Sequence, residues 1–235
     1  LLTEQIERWN LVKGRLKEFN WRWEWIKEWN NNQKLIGGFQ RVSRKNDYLN
    51  LVALNSINVD FVQEDFKLIT NSVYLEYEGY LFDKIKLNSG FRANHYSAEN
   101  RQVFWEPRLM ATWKSRKDHW KVFFSAAKFN QEMYQTPIIY NELGVNSSIW
   151  QLSNFEEFPL IRSNEISIGV ENKGKNYRWK LNYYTKQNVG ITAWKMNLEL
   201  DQFNLFNEYG HSLSRGLELY LHILGQQSSS TLSYT

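Results

Sequence analysis

Between Phe104 and Gln131 the chain alternates with a period of two residues, and this alternation constrains the fold more than any other feature. Trp105, Pro107, Leu109, Ala111 and Trp113 share one side, with Glu106, Arg108 and Thr112 on the other. After the polar turn Lys114-Ser115-Arg116-Lys117-Asp118, residues Trp120, Val122, Phe124 and Ala126 point one way and Lys121, Phe123 and Ser125 the other. Period two is the period of a strand. Runs of about ten residues with one apolar face, one polar face and an aromatic near each end are what strands crossing an outer membrane require.

The same pattern recurs along the chain. Phe19, Trp21, Trp23 and Trp25 oppose Asn20, Arg22 and Glu24, and after Asn30-Asn31-Asn32 the return strand carries Leu35, Gly37 and Phe39 outward. Val73 to Leu81 and Ile85 to Phe91 form another pair, Ile166 to Val170 and Tyr177 to Tyr183 a third, and Leu217 to Ile223 a further strand. Short turns near Asn30, Asp83, Lys114, Lys173 and Gly225 alternate with long segments: Arg41–Asn71, Ala93–Val103, Glu132–Ile161 and Gln187–Ser212. Leu1 to Gly14 reads as the tail of a loop, whereas Leu49–Leu54 and Phe61–Ile69 either extend strands or pack within a folded loop. The predicted fold is all-β, an antiparallel meander of about ten strands forming part of an outer-membrane barrel, with tight periplasmic turns and long extracellular loops. A soluble sandwich has shorter strands and no reason for so regular an alternation.

Composition agrees. Eleven Trp, thirteen Tyr and fourteen Phe in 235 residues are a heavy load of side chains that favour membrane interfaces. A mean hydropathy of -0.60 and the lack of a long apolar run argue against membrane helices, but alternating strands average to mild polarity. There is no cysteine, which excludes disulfide scaffolds, thiolate nucleophiles and zinc ribbons. The net charge of +4 is spread along the polar faces rather than gathered in a stripe, so nucleic acid is not expected as a partner.

Several short motifs, taken in order, carry a family resemblance. Gly90-Phe91-Arg92-Ala93-Asn94-His95-Tyr96-Ser97, then Glu106-Pro107-Arg108-Leu109, then Ser125 to Gln131, then Ser214-Arg215-Gly216-Leu217-Glu218-Leu219 with Leu232-Ser233-Tyr234-Thr235, resemble the barrel half of TonB-dependent outer-membrane receptors. The general character is similar to receptors of the Bacteroidetes group. The resemblance implies a barrel of about 22 strands closed around an N-terminal plug. It also implies energy drawn from the TonB complex through that plug, a small-molecule or glycan ligand, and in some cases a surface lipoprotein partner. Residues 1–235 match neither plug nor TonB box, and about ten strands would leave two unpaired edges that lipid does not tolerate. The chain is therefore expected to be a partial barrel domain of a longer protein in the bacterial outer membrane.

No catalytic site is expected. His95, His119, His211 and His222 are scattered without metal-ligand spacing, and no nucleophile elbow, P-loop or dinucleotide fingerprint occurs. Glu76 and Glu78 read as lumen lining rather than as a carboxylate pair. Ligand contact is expected where the strand from Trp120 leaves the membrane, at Asn130, Gln131 and Tyr134, which combine hydrogen-bonding groups with an aromatic surface. The expected function is active uptake of a scarce ligand such as a ferric siderophore, a cobalamin or an oligosaccharide, with no cofactor. The alternative is a soluble all-β glycan-binding protein that uses its exposed Trp and Tyr.

Overall fold

The computed structural model describes residues 8–29, 32–54, 57–81, 84–97, 102–115, 119–140, 145–156, 158–199, 202–226 and 228–235. They form β1 (Arg8–Trp29), β2 (Gln33–Leu54), β3 (Ile57–Leu81), β4 (Ile85–Tyr96), β5 (Gln102–Lys114) and β6 (Trp120–Gln131). A hairpin of β7 (Met133–Tyr140) and β8 (Val145–Leu152) follows, then β9 (Ile161–Lys173), β10 (Tyr177–Glu199), β11 (Gln202–Leu224) and β12 (Ser229–Tyr234). The main path is a meander, β1-β2-β3-β4-β5-β6-β9-β10-β11-β12, in which every neighbouring pair is antiparallel. The sheet is open, with β1 and β12 as its edges.

Register aligns the apolar positions into belts. Trp25 pairs with Gly37, Gly37 with Leu75, Leu75 with Phe91 and Phe91 with Pro107. A second belt runs from Trp113 through Val122, Val170, Leu181 and Leu219 to Tyr234. Most of these side chains are exposed, as are Phe19, Trp21, Trp23, Trp105 and Trp120. An apolar face of this extent has the character of a wall that meets hydrocarbon, and the rings along it stack on one another. Phe91 and Trp105 lie 5.1 Å apart, and Trp120 and Trp179 meet edge to face at 5.6 Å.

The other face is polar and concave. Arg22 on β1 reaches Tyr74 on β3, and Arg92 on β4 reaches Gln40 on β2, so side chains two strands apart meet there. Tyr74 lies across Gly38, where an added Cβ would stand 2.3 Å from the phenol oxygen and 2.7 Å from the carbonyl of Trp23. Only glycine permits that crossing, a known use of glycine in curved sheets.

Two expectations change. Arg8–Gly14 is strand rather than loop, and Gln187–Ser212 is largely ladder; of the two readings left open within Arg41–Asn71, Leu49–Leu54 and Phe61–Ile69 extend strands. β2 pairs β3 out to Leu54 and Ile57, and β10 pairs β11 out to Glu199 and Gln202. Beyond a bilayer neither face has to be apolar, so the hydrophobic alternation fades while backbone pairing continues. The short turns therefore gather at one end of the sheet, and the long hairpins project from the other, the hairpin end.

Glu132–Ile161 is also structured. β7 runs parallel to β10 through Ile138–Trp194, while Asn46 of β2 donates to the carbonyl of Trp150 on β8 at 2.7 Å. The excursion thus bridges the concave side at the hairpin end. A compact cluster of Leu68, Tyr96, Leu152 and Leu160, joined by Phe104, Met133 and Phe155, fills the space beneath it. Gly190, with φ of 88°, forms the bulge in β10, and a Cβ there would meet the carbonyl of Leu160 at 2.8 Å.

Candidate functional site

Register places the chemistry of the concave face in rows. Glu24, Gly38, Tyr74, Arg92 and Glu106 are successive partners on β1 to β5, and Arg22, Gln40, Ser72, Asn94 and Phe104 form the adjacent row. Arg92 is the hub. Its Nε donates to Asn94 Oδ1 at 2.8 Å, and its Nη2 donates to Gln40 Oε1 and Ser72 Oγ, both at 2.8 Å. Ser72 in turn donates to Asn94 at 2.7 Å, and Gln40 donates to Asn20 at 2.9 Å. The guanidinium of Arg92 and that of Arg22 lie over the ring of Tyr74, at 5.9 and 5.2 Å from its centroid.

Next to this network the β5–β6 ladder ends at Arg108–Ala127. Glu106, which is buried, enters the opened seam and accepts from both the backbone N–H and the side-chain amide of Asn130, each at 3.0 Å. A carboxylate here replaces the missing ladder partner of a backbone donor. The result is a recess of about 290 Å³ that includes Thr70, Arg92, Asn94, Glu106, Asn130 and Glu132 in its lining.

Glu132 closes the recess on the hairpin side. Its carboxylate forms an ion pair with Arg44 and accepts from Thr70 Oγ1 at 2.7 Å, and Arg44 also binds Glu18 at 2.8 Å. A second cavity of about 300 Å³, lined by Glu76, Glu78, Asn88, Arg108, Ser125 and Glu165 among others, lies nearer the turn end. Among the described residues no group of His, Asp or Glu is arranged to hold a metal ion.

The three residues expected to contact ligand are distributed unevenly. Asn130 and Gln131 both line the recess, and Gln131 also donates to the carbonyl of Met133 at 2.9 Å. Tyr134 lies apart from them: it is buried, and its hydroxyl donates to the carbonyl of Pro159 at 3.0 Å. Burial pushes its phenol pKa up to about 12. Lys121, Phe123 and Ser125 face inward as the alternation requires, with Ser125 and Ser167 sharing a hydrogen bond of 2.8 Å. Arg92, Glu106 and Glu132 escaped sequence reasoning as site residues. Arg92 and Glu106 lie in the motifs that carry the family resemblance, but nothing in those motifs sets them apart from the other polar residues of the alternating face, and Glu132 lies between β6 and β7.

Comparison of the whole fold decides its type. A siderophore receptor, PirA from Acinetobacter baumannii, superposes with a TM-score of 0.58 at 14% identity over 95% of this chain and 36% of its own. The copper transporter OprC does so with a TM-score of 0.66 at 10% identity, over 95% and 39%. The RagAB peptide importer in its closed-closed state gives 0.58 at 11%, over 97% and 30%. These are TonB-dependent receptors. The chain has the fold of part of a TonB-dependent receptor barrel. It spans less than half the length of these three barrel proteins. Neither a family model nor a curated protein matches the sequence.

Proposed function

We propose that this chain is part of the barrel of a TonB-dependent receptor in a bacterial outer membrane, and that the parent protein takes up a scarce ligand through a plugged lumen. The observation that carries the reading is the two-faced sheet. Its lipid-type belt and its charged, hydrogen-bonded lumen wall fit a barrel around an aqueous or plugged interior and give a soluble glycan-binding protein no means of covering the belt. The proteins it resembles are described as acting on siderophores, copper and peptides. For this chain the cargo classes proposed are a ferric siderophore, a cobalamin or an oligosaccharide. The proposed partners are outer-membrane lipid, the TonB complex acting on the plug, and a surface lipoprotein.

Energised transport tests the reading. Cells producing the intact receptor are expected to accumulate one of a panel of probes, radio-iron siderophores, cyanocobalamin and maltohexaose, only when TonB is present. Accumulation of none, or accumulation indifferent to TonB, overturns it.

Orientation is tested separately. With the short turns in the periplasm, single cysteines at His119 and Lys175 in the intact receptor are expected to resist an impermeant maleimide on whole cells, while cysteines at Ser97 and Glu156 label. The opposite labelling pattern would invert the topology.

The proposed ligand-contact set of Asn130, Gln131 and Tyr134 divides by geometry. Replacing Asn130 and Gln131 together by alanine removes hydrogen-bonding groups worth about 0.5 to 1.5 kcal/mol each. Binding of the transported probe should weaken about tenfold at unchanged surface abundance. Tyr134→Phe, which removes the hydroxyl's hydrogen bonds to Pro159 and Thr192 and no group lining the recess, is expected to change binding less. Unchanged affinity in the double variant takes the recess out of the site.

A further inference from the structure

Arg92 and Glu106 are register partners on adjacent strands and both line the recess, yet they form no ion pair. Opposite charges placed directly across a strand pair normally join. Here neutral groups hold each one away. Arg92 spends Nε and Nη2 on Asn94, Gln40 and Ser72, which leaves Nη1 unused. Glu106 spends Oε1 on the two donors of Asn130, which leaves Oε2 unused. Asn130 Oδ1 is itself buried without a hydrogen-bond partner. The recess therefore presents, on two neighbouring strands about 5 Å apart, one free guanidinium edge and one free carboxylate oxygen, while the unsatisfied amide oxygen of Asn130 is buried on the next strand, β6.

We propose that this recess binds the head group of an α-aminocarboxylate, free or carried on a larger cargo. The carboxylate sits on Nη1 of Arg92, and the ammonium on Oε2 of Glu106. An ammonium and a carboxylate on one carbon have the right separation to meet charges on adjacent strands, and only a molecule bearing both signs satisfies both. A purely anionic cargo would leave Glu106 facing like charge, and a neutral sugar would leave neither charge in direct contact with an opposite one. Guanidinium binds a planar carboxylate with directed N–H groups, and the network around Arg92 fixes that fork in place before anything arrives. The proposal rests on the receptor reading, since it takes the concave face as a lumen wall, and it narrows the cargo.

The test uses the intact receptor in detergent and three probes of nearly one shape: L-leucine, L-leucinamide, which lacks the carboxylate, and 4-methylpentanoate, which lacks the ammonium. Calorimetry or saturation-transfer NMR should give binding of L-leucine at least tenfold tighter than either analogue. In Glu106→Gln, which keeps an acceptor for Asn130, the preference for L-leucine over 4-methylpentanoate should vanish. In Arg92→Gln the preference over L-leucinamide should vanish. Equal binding of the three probes to the wild-type protein, or no binding of L-leucine, overturns the proposal, and the second is the result expected if the plug's own side chains fill the recess. The wild-type comparison decides even if a variant fails to assemble. TonB-dependent uptake of another cargo would survive either negative result, so the two readings fail separately.

Discussion

Leu219→Arg is expected to abolish assembly of the intact receptor, while Tyr220→Arg one residue away leaves surface abundance close to that of the wild type. Leu219 lies in the apolar belt, paired with Leu181 on one side and Tyr234 on the other. Tyr220 points to the concave face, where its ring stacks on His222 at 6.4 Å. A cation on the lipid face costs about 2 to 4 kcal/mol near the bilayer midplane and little on the lumen side. A penalty of that size is a large part of the stability of an ordinary domain, so a single substitution suffices. Outer-membrane abundance, measured by surface labelling, reads the difference. Equal loss in the two variants would reverse the assignment of faces.

Such a prediction is available because strand faces are legible in sequence. Trp105 to Trp113 and Trp120 to Ala126 alternate against a polar face, and the structure keeps that parity through the successive register pairs that lead from Trp113 to Tyr234. Turn positions were legible for the same reason, since a turn interrupts the alternation with polar residues. The extent of the hairpins was not. Beyond the belt, strands such as the outer parts of β2, β3, β10 and β11 need no apolar face, and period two disappears from the side chains while remaining in the backbone. The aromatic cluster of Tyr96, Phe104 and Phe155 was hidden differently. Tyr96 and Phe104 are apolar residues on the polar parity, which reads as an error of pattern until β8 and the residues after it bring Leu152, Phe155 and Leu160 against them.

The recess was half legible. Asn130 and Gln131 stand at the end of an alternating strand, so their approach to the hairpin end followed from counting residues. Arg92 and Glu106 became neighbours only through the β4–β5 register, and no local pattern fixes which polar residue on one strand meets which on the next. The break in the β5–β6 ladder, which lets Glu106 reach the backbone of Asn130, leaves no mark in the sequence.

Glu132→Ala is expected to release the β7–β8 hairpin while leaving the ten-strand meander intact. Glu132 is the first residue of the excursion, and its carboxylate ties that point to Arg44 on β2 and Thr70 on β3, across the concave face rather than along it. The side chains of Arg44 and Glu132 are only 19% and 13% exposed, so the pair is far better shielded than a surface ion pair. Its loss should cost about 2 to 3 kcal/mol, between the values for exposed and fully buried pairs. Glu18 remains to hold Arg44, which limits the damage to the hairpin. Backbone amides of β7 and β8 should then exchange about 30 to 150 times faster, while those of β9 and the turn-end half of β10 keep their protection. Glu132→Gln, which retains an acceptor for Thr70 but not the charge, should fall between the two. Because Glu132, Met133 and Gln131 form one wall of the recess, the alanine variant should also weaken whatever the recess binds, with Arg92 and Glu106 untouched. Unchanged exchange in β7 and β8 would show that the parallel pairing with β10 and the aromatic cluster hold the hairpin without the ion pair.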